Sequence, residues 1–140
     1  MRMAVVVIPP LVLALSSALS ACAETGADAT AQTKEIAFAP DYQDAEAKML
    51  DDAMLQVEVS MRGARDETDV EHYAQCVAAG HAQSKGFGFT RHLRTLVSKD
   101  AELWRADAVY LLSDSLPPGT KTIDAEVVAA DCAENGIPMV

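Results

Sequence analysis

The sequence predicts a single α+β domain over residues 41–140, with one helix packed on a mostly antiparallel sheet in the order β-α-β-β-β. Three observations carry that expectation. Leu55, Val57, Val59 and Met61 alternate with Gln56, Glu58, Ser60 and Arg62, the period of a half-buried strand. Thr68-Asp69-Val70-Glu71 has the form of a capping box, and behind it Val70, Tyr73, Ala74, Val77 and His81 fall at helical spacing. Trp104, Ala106, Ala108, Tyr110 and Leu112 then share one face of a further strand.

The remaining elements follow in order. Residues 41–54 read as a short helix capped by Asp41, with Ala45, Met49, Leu50, Ala53 and Met54 on one face. The alternative is a segment that runs straight into the first strand. Gly63 ends that strand. In the main helix Ala78, Ala79, Gly80 and Ala82 keep the surface slim, so it can lie close to a sheet, and Gly86 is the stop signal. Phe87, Phe89, Leu93 and Val97 share one face of the second strand, interrupted by Arg91, whose long side chain can reach solvent at a sheet edge. Ile123, Ala125, Val127 and Ala129 share one face of the last strand. Residues 98–102 and 113–120, the latter with Pro117-Pro118-Gly119, supply turns.

Composition narrows the function classes. The chain has 11 basic and 21 acidic residues, a formal charge of −10, and such a surface repels phosphate backbones. That argues against a nucleic-acid partner. Aromatic residues make up only 5% of the chain, so the core is expected to be Val, Leu, Ala and Met around Trp104, Tyr110, Phe87 and Phe89. A folded region of about 100 residues buries a modest share of its surface, and a covalent staple helps it.

The amino terminus reads as an export signal. Arg2 precedes an apolar run from Ala4 to Leu15, and small residues follow it. The run is shorter than the ~20 residues of a membrane span, and Pro9 and Pro10 interrupt it. Leu19-Ser20-Ala21-Cys22 resembles the bacterial lipobox. The resemblance implies cleavage after a signal peptide of residues 1–21, a thiolate at Cys22 that takes up diacylglycerol, and three acyl chains on the mature terminus. Residues 22–40 then form a flexible tether. Ordinary cleavage within Ala21-Cys22-Ala23 would leave a soluble periplasmic protein instead. By the family's sorting rule, Ala23 in place of an aspartate directs such a lipoprotein to the outer membrane.

With Cys22 assigned to lipid, Cys76 and Cys132 remain. In an oxidising compartment such a pair is expected to form a disulfide, and closing that loop stabilises by about 4 kcal/mol in the chain-entropy model. Two buried free thiols are the alternative. Other candidate chemistry is weaker. Cys76 with His81 as metal ligands would sit five positions apart, on different sides of a helix, without a CxxC or HxxxH element. Cys76 as a nucleophile served by His72, His81 or His92 lacks an accompanying signature. Asp107, Asp124 and Glu126 fall at outward strand positions, where solvated carboxylates are ordinary. Lys85-Gly86-Phe87-Gly88-Phe89 follows a helix rather than opening one, which is the wrong order for a phosphate loop. No cofactor, metal or catalytic residue is expected.

Beyond the lipobox, Tyr73-Ala74-Gln75-Cys76, Gly86-Phe87-Gly88-Phe89 and Cys132-Ala133-Glu134-Asn135-Gly136-Ile137-Pro138 are similar to small uncharacterised lipoproteins of alphaproteobacteria. That resemblance implies no activity. The expectation is a lipid-anchored, non-catalytic envelope lipoprotein that binds another envelope protein or the cell wall. A module that binds a small ligand or inhibits a periplasmic enzyme is the alternative.

Overall fold

The computed structural model describes residues 37–140; the expected signal segment, Cys22 and the expected tether up to residue 36 lie outside the described residues. Five strands and two helices follow one another: β1 (Asp41–Met49), β2 (Met54–Arg62), α1 (Glu67–Ser84), β3 (Phe89–Asp100), β4 (Leu103–Ser113), β5 (Thr122–Asp124) and α2 (Ala125–Glu134). The strands form one antiparallel sheet in the order β1-β2-β4-β3-β5. The α+β class, the antiparallel sheet and the main helix are those the sequence predicts. No helix of the described residues is long and apolar enough to cross a membrane.

Residues 41–54 are a hairpin rather than a helix. Ala45, Ala47 and Met49 face Val59, Val57 and Leu55 across the β1–β2 ladder. A spacing of four, as between Ala45 and Met49, satisfies a strand's period of two as well as a helix's 3.6. The turn settles the choice. Asp51 Oδ1 accepts from Ala53 N at 2.8 Å and Met54 N at 2.7 Å, which folds the chain back.

The start of α1 lies two residues before the sequence's capping box. Asp66 is the N-cap, and its Oδ1 accepts from Thr68 N at 2.9 Å. Asp69 takes the part expected of Glu71. It accepts from Arg65 N at 2.8 Å and holds the Arg65 guanidinium at 2.7 and 3.0 Å. At the other end Gly86 adopts φ +84°, and Phe87 N donates to Ala82 O while Gly86 N donates to Gln83 O. These two bonds make a Schellman closure, as the sequence implies.

β3 departs from a regular strand. A bulge between His92 and Arg94 shifts the register, so Thr90, His92, Thr95 and Val97 stand opposite Leu112, Tyr110, Ala108 and Ala106. Leu93 is thereby 41% exposed. The face expected from Phe87, Phe89, Leu93 and Val97 is thus split by the bulge.

The last expected strand is mostly helix. Only Thr122–Asp124 pair with β3, and Asp124 then caps α2 by accepting from Glu126 N and Val127 N. Ala125, Ala129 and Cys132, spaced as a helical stripe, are buried, while Val127 is 65% exposed. Ile137 N closes α2 onto Cys132 O with Gly136 at φ +67°, a second Schellman closure.

The core lies between α1, α2 and one face of the sheet. Leu55, Val57, Val59 and Met61 of β2, and Ala106, Ala108, Tyr110 and Leu112 of β4, meet Val70, Tyr73, Ala74 and Val77 of α1. Each fully buried Val or Leu contributes about 1.5–3 kcal/mol. Alanines on both sides allow close approach of helix to sheet. Gly80 serves the carboxyl-terminal segment in the same way, since a Cβ there would stand 2.7 Å from Met139 Cβ.

Candidate functional site

A cleft of about 360 Å³ opens on the helical side of the sheet. Glu71 and Gln75 of α1 form one wall, Lys121, Thr122 and Ile123 form another, and His92 and Tyr110 line it from β3 and β4. Its size lies at the lower end of the range for small-molecule sites. The β3–β5 pairing shapes it. β5 pairs only with Phe89–Arg91, and His92 N reaches Lys121 O at 3.2 Å, which holds the loop before β5 beside the strand.

Polar groups in and beside the cleft are only partly satisfied. The His92 ring packs edge-on against Tyr110, with centroids 5.4 Å apart, and its Nε2 is 2.6 Å from Thr95 Oγ1. Thr122 Oγ1 is buried and has no hydrogen-bond partner in the described residues; the same holds for Thr90 Oγ1 in the adjoining strand. Tyr110 is 2% exposed, and its phenol is pushed well above the ordinary range by burial, with the Glu71 carboxylate adding to the shift. The phenol therefore stays a protonated donor across physiological pH. Among the described residues neither Glu71 nor Lys121 enters an ion pair. Lys121 also adopts φ +59°, a conformation a lysine rarely takes and one that costs free energy unless its surroundings fix it.

A second feature is the staple between the helices. Cys76 and Cys132 form a disulfide with Cα atoms 5.8 Å apart, and both residues are fully buried. His72, one turn before Cys76, stands beside it with Nε2 3.5 Å from Asp131 Oδ2. His81, the histidine the sequence sets beside Cys76, does not join this group. Its Nε2 is buried without a partner in the described residues, and desolvation lowers its pKa.

Of the other candidate residues only Glu126 changes element, and Asp107 Oδ1 is buried without a hydrogen-bond partner in the described residues. Asp107 lies on the open face of the sheet, where Gln56 Nε2 donates to its Oδ2 at 3.2 Å and Arg94 approaches to 3.8 Å. Asp124 keeps its expected exposed strand position, as the last residue of β5, and there also caps α2; Glu126 instead sits in the first turn of that helix. Arg91 donates to Pro118 O at 3.4 Å and so braces the β4–β5 loop at its two prolines. The cleft itself has no mark in the sequence. Tyr110 reads there as core and Glu71 as a cap, and Gln75 and Lys121 carry no local signal, because four separate elements and a loop converge at the site.

The open face of the sheet carries its own feature. Leu50, Met54, Leu93 and Arg94 surround Val109, which is buried on the side away from the helices. Leu96 on the same face is 64% exposed.

Fold and site together define a class, a small disulfide-stapled α+β domain whose antiparallel sheet holds a cleft beside its main helix. A family model described as the YNQ4 C-terminal domain matches residues 42–136, so the chain belongs to that family. It is also similar to an uncharacterised 26.9 kDa protein encoded in the nqo8 5′ region of Paracoccus denitrificans, at 31% identity over 87 residues. That match covers 62% of this chain and 34% of the relative, so the matched part spans about a third of the relative's length. No solved structure matches.

Proposed function

We propose that this domain is a non-catalytic binding module of the cell envelope, held to the outer membrane by lipid on Cys22, and that its cleft takes a small polar ligand. The observation that carries the ligand reading is the buried, unpartnered Thr122 hydroxyl in a cleft that also holds the Tyr110 phenol, between walls of opposite charge. Buried polar atoms without partners are uncommon in folded proteins, because each costs about 1–3 kcal/mol. A ligand that donates to Thr122 Oγ1 and accepts from the Tyr110 phenol offsets that cost, while Glu71 and Lys121 orient it by charge. The non-catalytic reading is supported by Cys76, whose candidacy as a nucleophile already lacks a sequence signature, being buried in a disulfide. The anchor rests on the lipobox-like Leu19-Ser20-Ala21-Cys22, and the outer-membrane address on Ala23.

Thermal unfolding tests the cleft. A ligand at a hundred times its dissociation constant adds about 2.7 kcal/mol, a rise in Tm on the order of 10 °C for a domain of this size. We expect a rise with small zwitterionic or polyhydroxylated compounds that is reduced in Tyr110→Phe and Lys121→Ala. A rise that both variants retain in full would place the ligand elsewhere.

A second reading, docking of another envelope protein or the wall on the open sheet face, is favoured by the exposed Leu93 and Leu96 around buried Val109. Crosslinking in intact cells from a photoreactive residue at position 96 should then capture a distinct partner. Only self-products would count against it.

A further inference from the structure

The staple between α1 and α2 carries a donor set that the oxidised domain does not use. One ligand atom each from His72, Cys76 and Cys132 lies within 4.8 Å of the others. His72 and Cys76 are four apart on α1, so both project from one face of that helix, toward Cys132 on the facing helix. We propose that, when the Cys76–Cys132 disulfide is reduced, His72, Cys76 and Cys132 bind a zinc ion that joins α1 to α2 in the disulfide's place.

The chemistry selects the ion. Two thiolates and an imidazole form a soft-to-borderline set that suits zinc, whereas magnesium and calcium take oxygen ligands. Two sulfurs on one tetrahedral zinc stand about 3.8 Å apart, from zinc–sulfur bonds of about 2.3 Å. Cα atoms 5.8 Å apart allow that spacing by side-chain rotation. Asp131, 3.5 Å from His72 Nε2, is placed to orient the imidazole, the role a carboxylate plays behind many zinc-bound histidines. The rim is open to solvent: His72 and Asp131 line a groove with Asp69 and Asn135, and their side chains are 40% and 55% exposed. Water completes the coordination.

The steps balance. A dithiol reductant passes two electrons and two protons to the disulfide, giving two cysteine thiols and the reductant's own disulfide. Zinc then displaces both thiol protons, so the ion's two positive charges meet two thiolates and the site is neutral. The disulfide itself excludes the metal, since its sulfurs carry no thiolate charge. The domain is thus stapled covalently when oxidised and by zinc when reduced. The inference is independent of any ligand in the cleft.

The test uses the purified domain reduced with a phosphine under anaerobic conditions and titrated with cobalt(II), a spectroscopic stand-in for zinc. One equivalent should give sulfur-to-cobalt charge-transfer bands and the intense visible bands of a tetrahedral site, and zinc should bleach both. Zinc should raise the Tm of reduced protein and leave that of oxidised protein unchanged. If the reduced chain unfolds without metal, zinc should restore its native circular dichroism. His72→Ala should weaken cobalt binding at least tenfold. Absence of the tetrahedral bands, no recovery of structure with zinc, or equal affinity in His72→Ala would each overturn the proposal.

Discussion

Asp69 shows how much one carboxylate does at the start of α1. It receives a backbone N–H and two guanidinium contacts from Arg65, while Asp66 caps the helix beside it. The Arg65 contact is the main reason its pKa lies below the ordinary carboxylate value, with its own partial burial opposing the shift. Folded Asp69 therefore releases its proton at lower pH than the unfolded chain does. The stability it adds is whole above about pH 4, the unfolded value, and is lost as pH falls through the lower folded one. Asp69→Asn should cost about 1 kcal/mol at neutral pH, since Arg65 is largely exposed and its attraction is screened. Urea unfolding at several pH values checks this. The wild type should lose more stability than the variant on acidification below pH 4, and parallel curves would contradict the assignment.

Among the elements, those with a single unambiguous period are legible in the sequence. β2 alternates strictly, β4 alternates from Trp104 to Ala108 before running on as Val109, Tyr110, Leu111 and Leu112, and the apolar positions of α1 fit only a helix. β1 is not legible, because Ala45 and Met49 satisfy both periods and the deciding contact is the Asp51 turn. Residues 123–129 pose the converse problem. Ile123, Ala125, Val127 and Ala129 alternate like a strand, but the stripe of Ala125, Ala129 and Cys132 is the one that packs. The bulge after His92 has no sequence mark, yet it decides which β3 side chains reach the cleft. The disulfide links the two helices, and its pairing is legible because only two cysteines remain once Cys22 is set aside. Replacing both Cys76 and Cys132 with Ser should lower stability by about 3–4 kcal/mol, much of what a domain of this size has. Denaturant unfolding of that double variant should show a midpoint far below the wild type, and an unchanged midpoint would mean that the bond constrains nothing.

At the scale of the whole molecule, the cleft and the amino-terminal anchor depend on different kinds of sequence information. The cleft cannot be read from sequence, because Glu71, His92, Tyr110 and Lys121 meet only through the tertiary fold. The lipid claim is the reverse case, since it rests entirely on a short local motif. Two buried acyl chains already give stable anchoring, and a third makes release slower still. Intact mass spectrometry of the mature protein, purified from membranes of an expressing bacterium, tests the anchor most directly. A lipid-anchored protein should begin at Cys22 and carry the mass of a diacylglycerol thioether plus an amide-linked acyl group. A chain that begins elsewhere, or an unmodified Cys22, would contradict it.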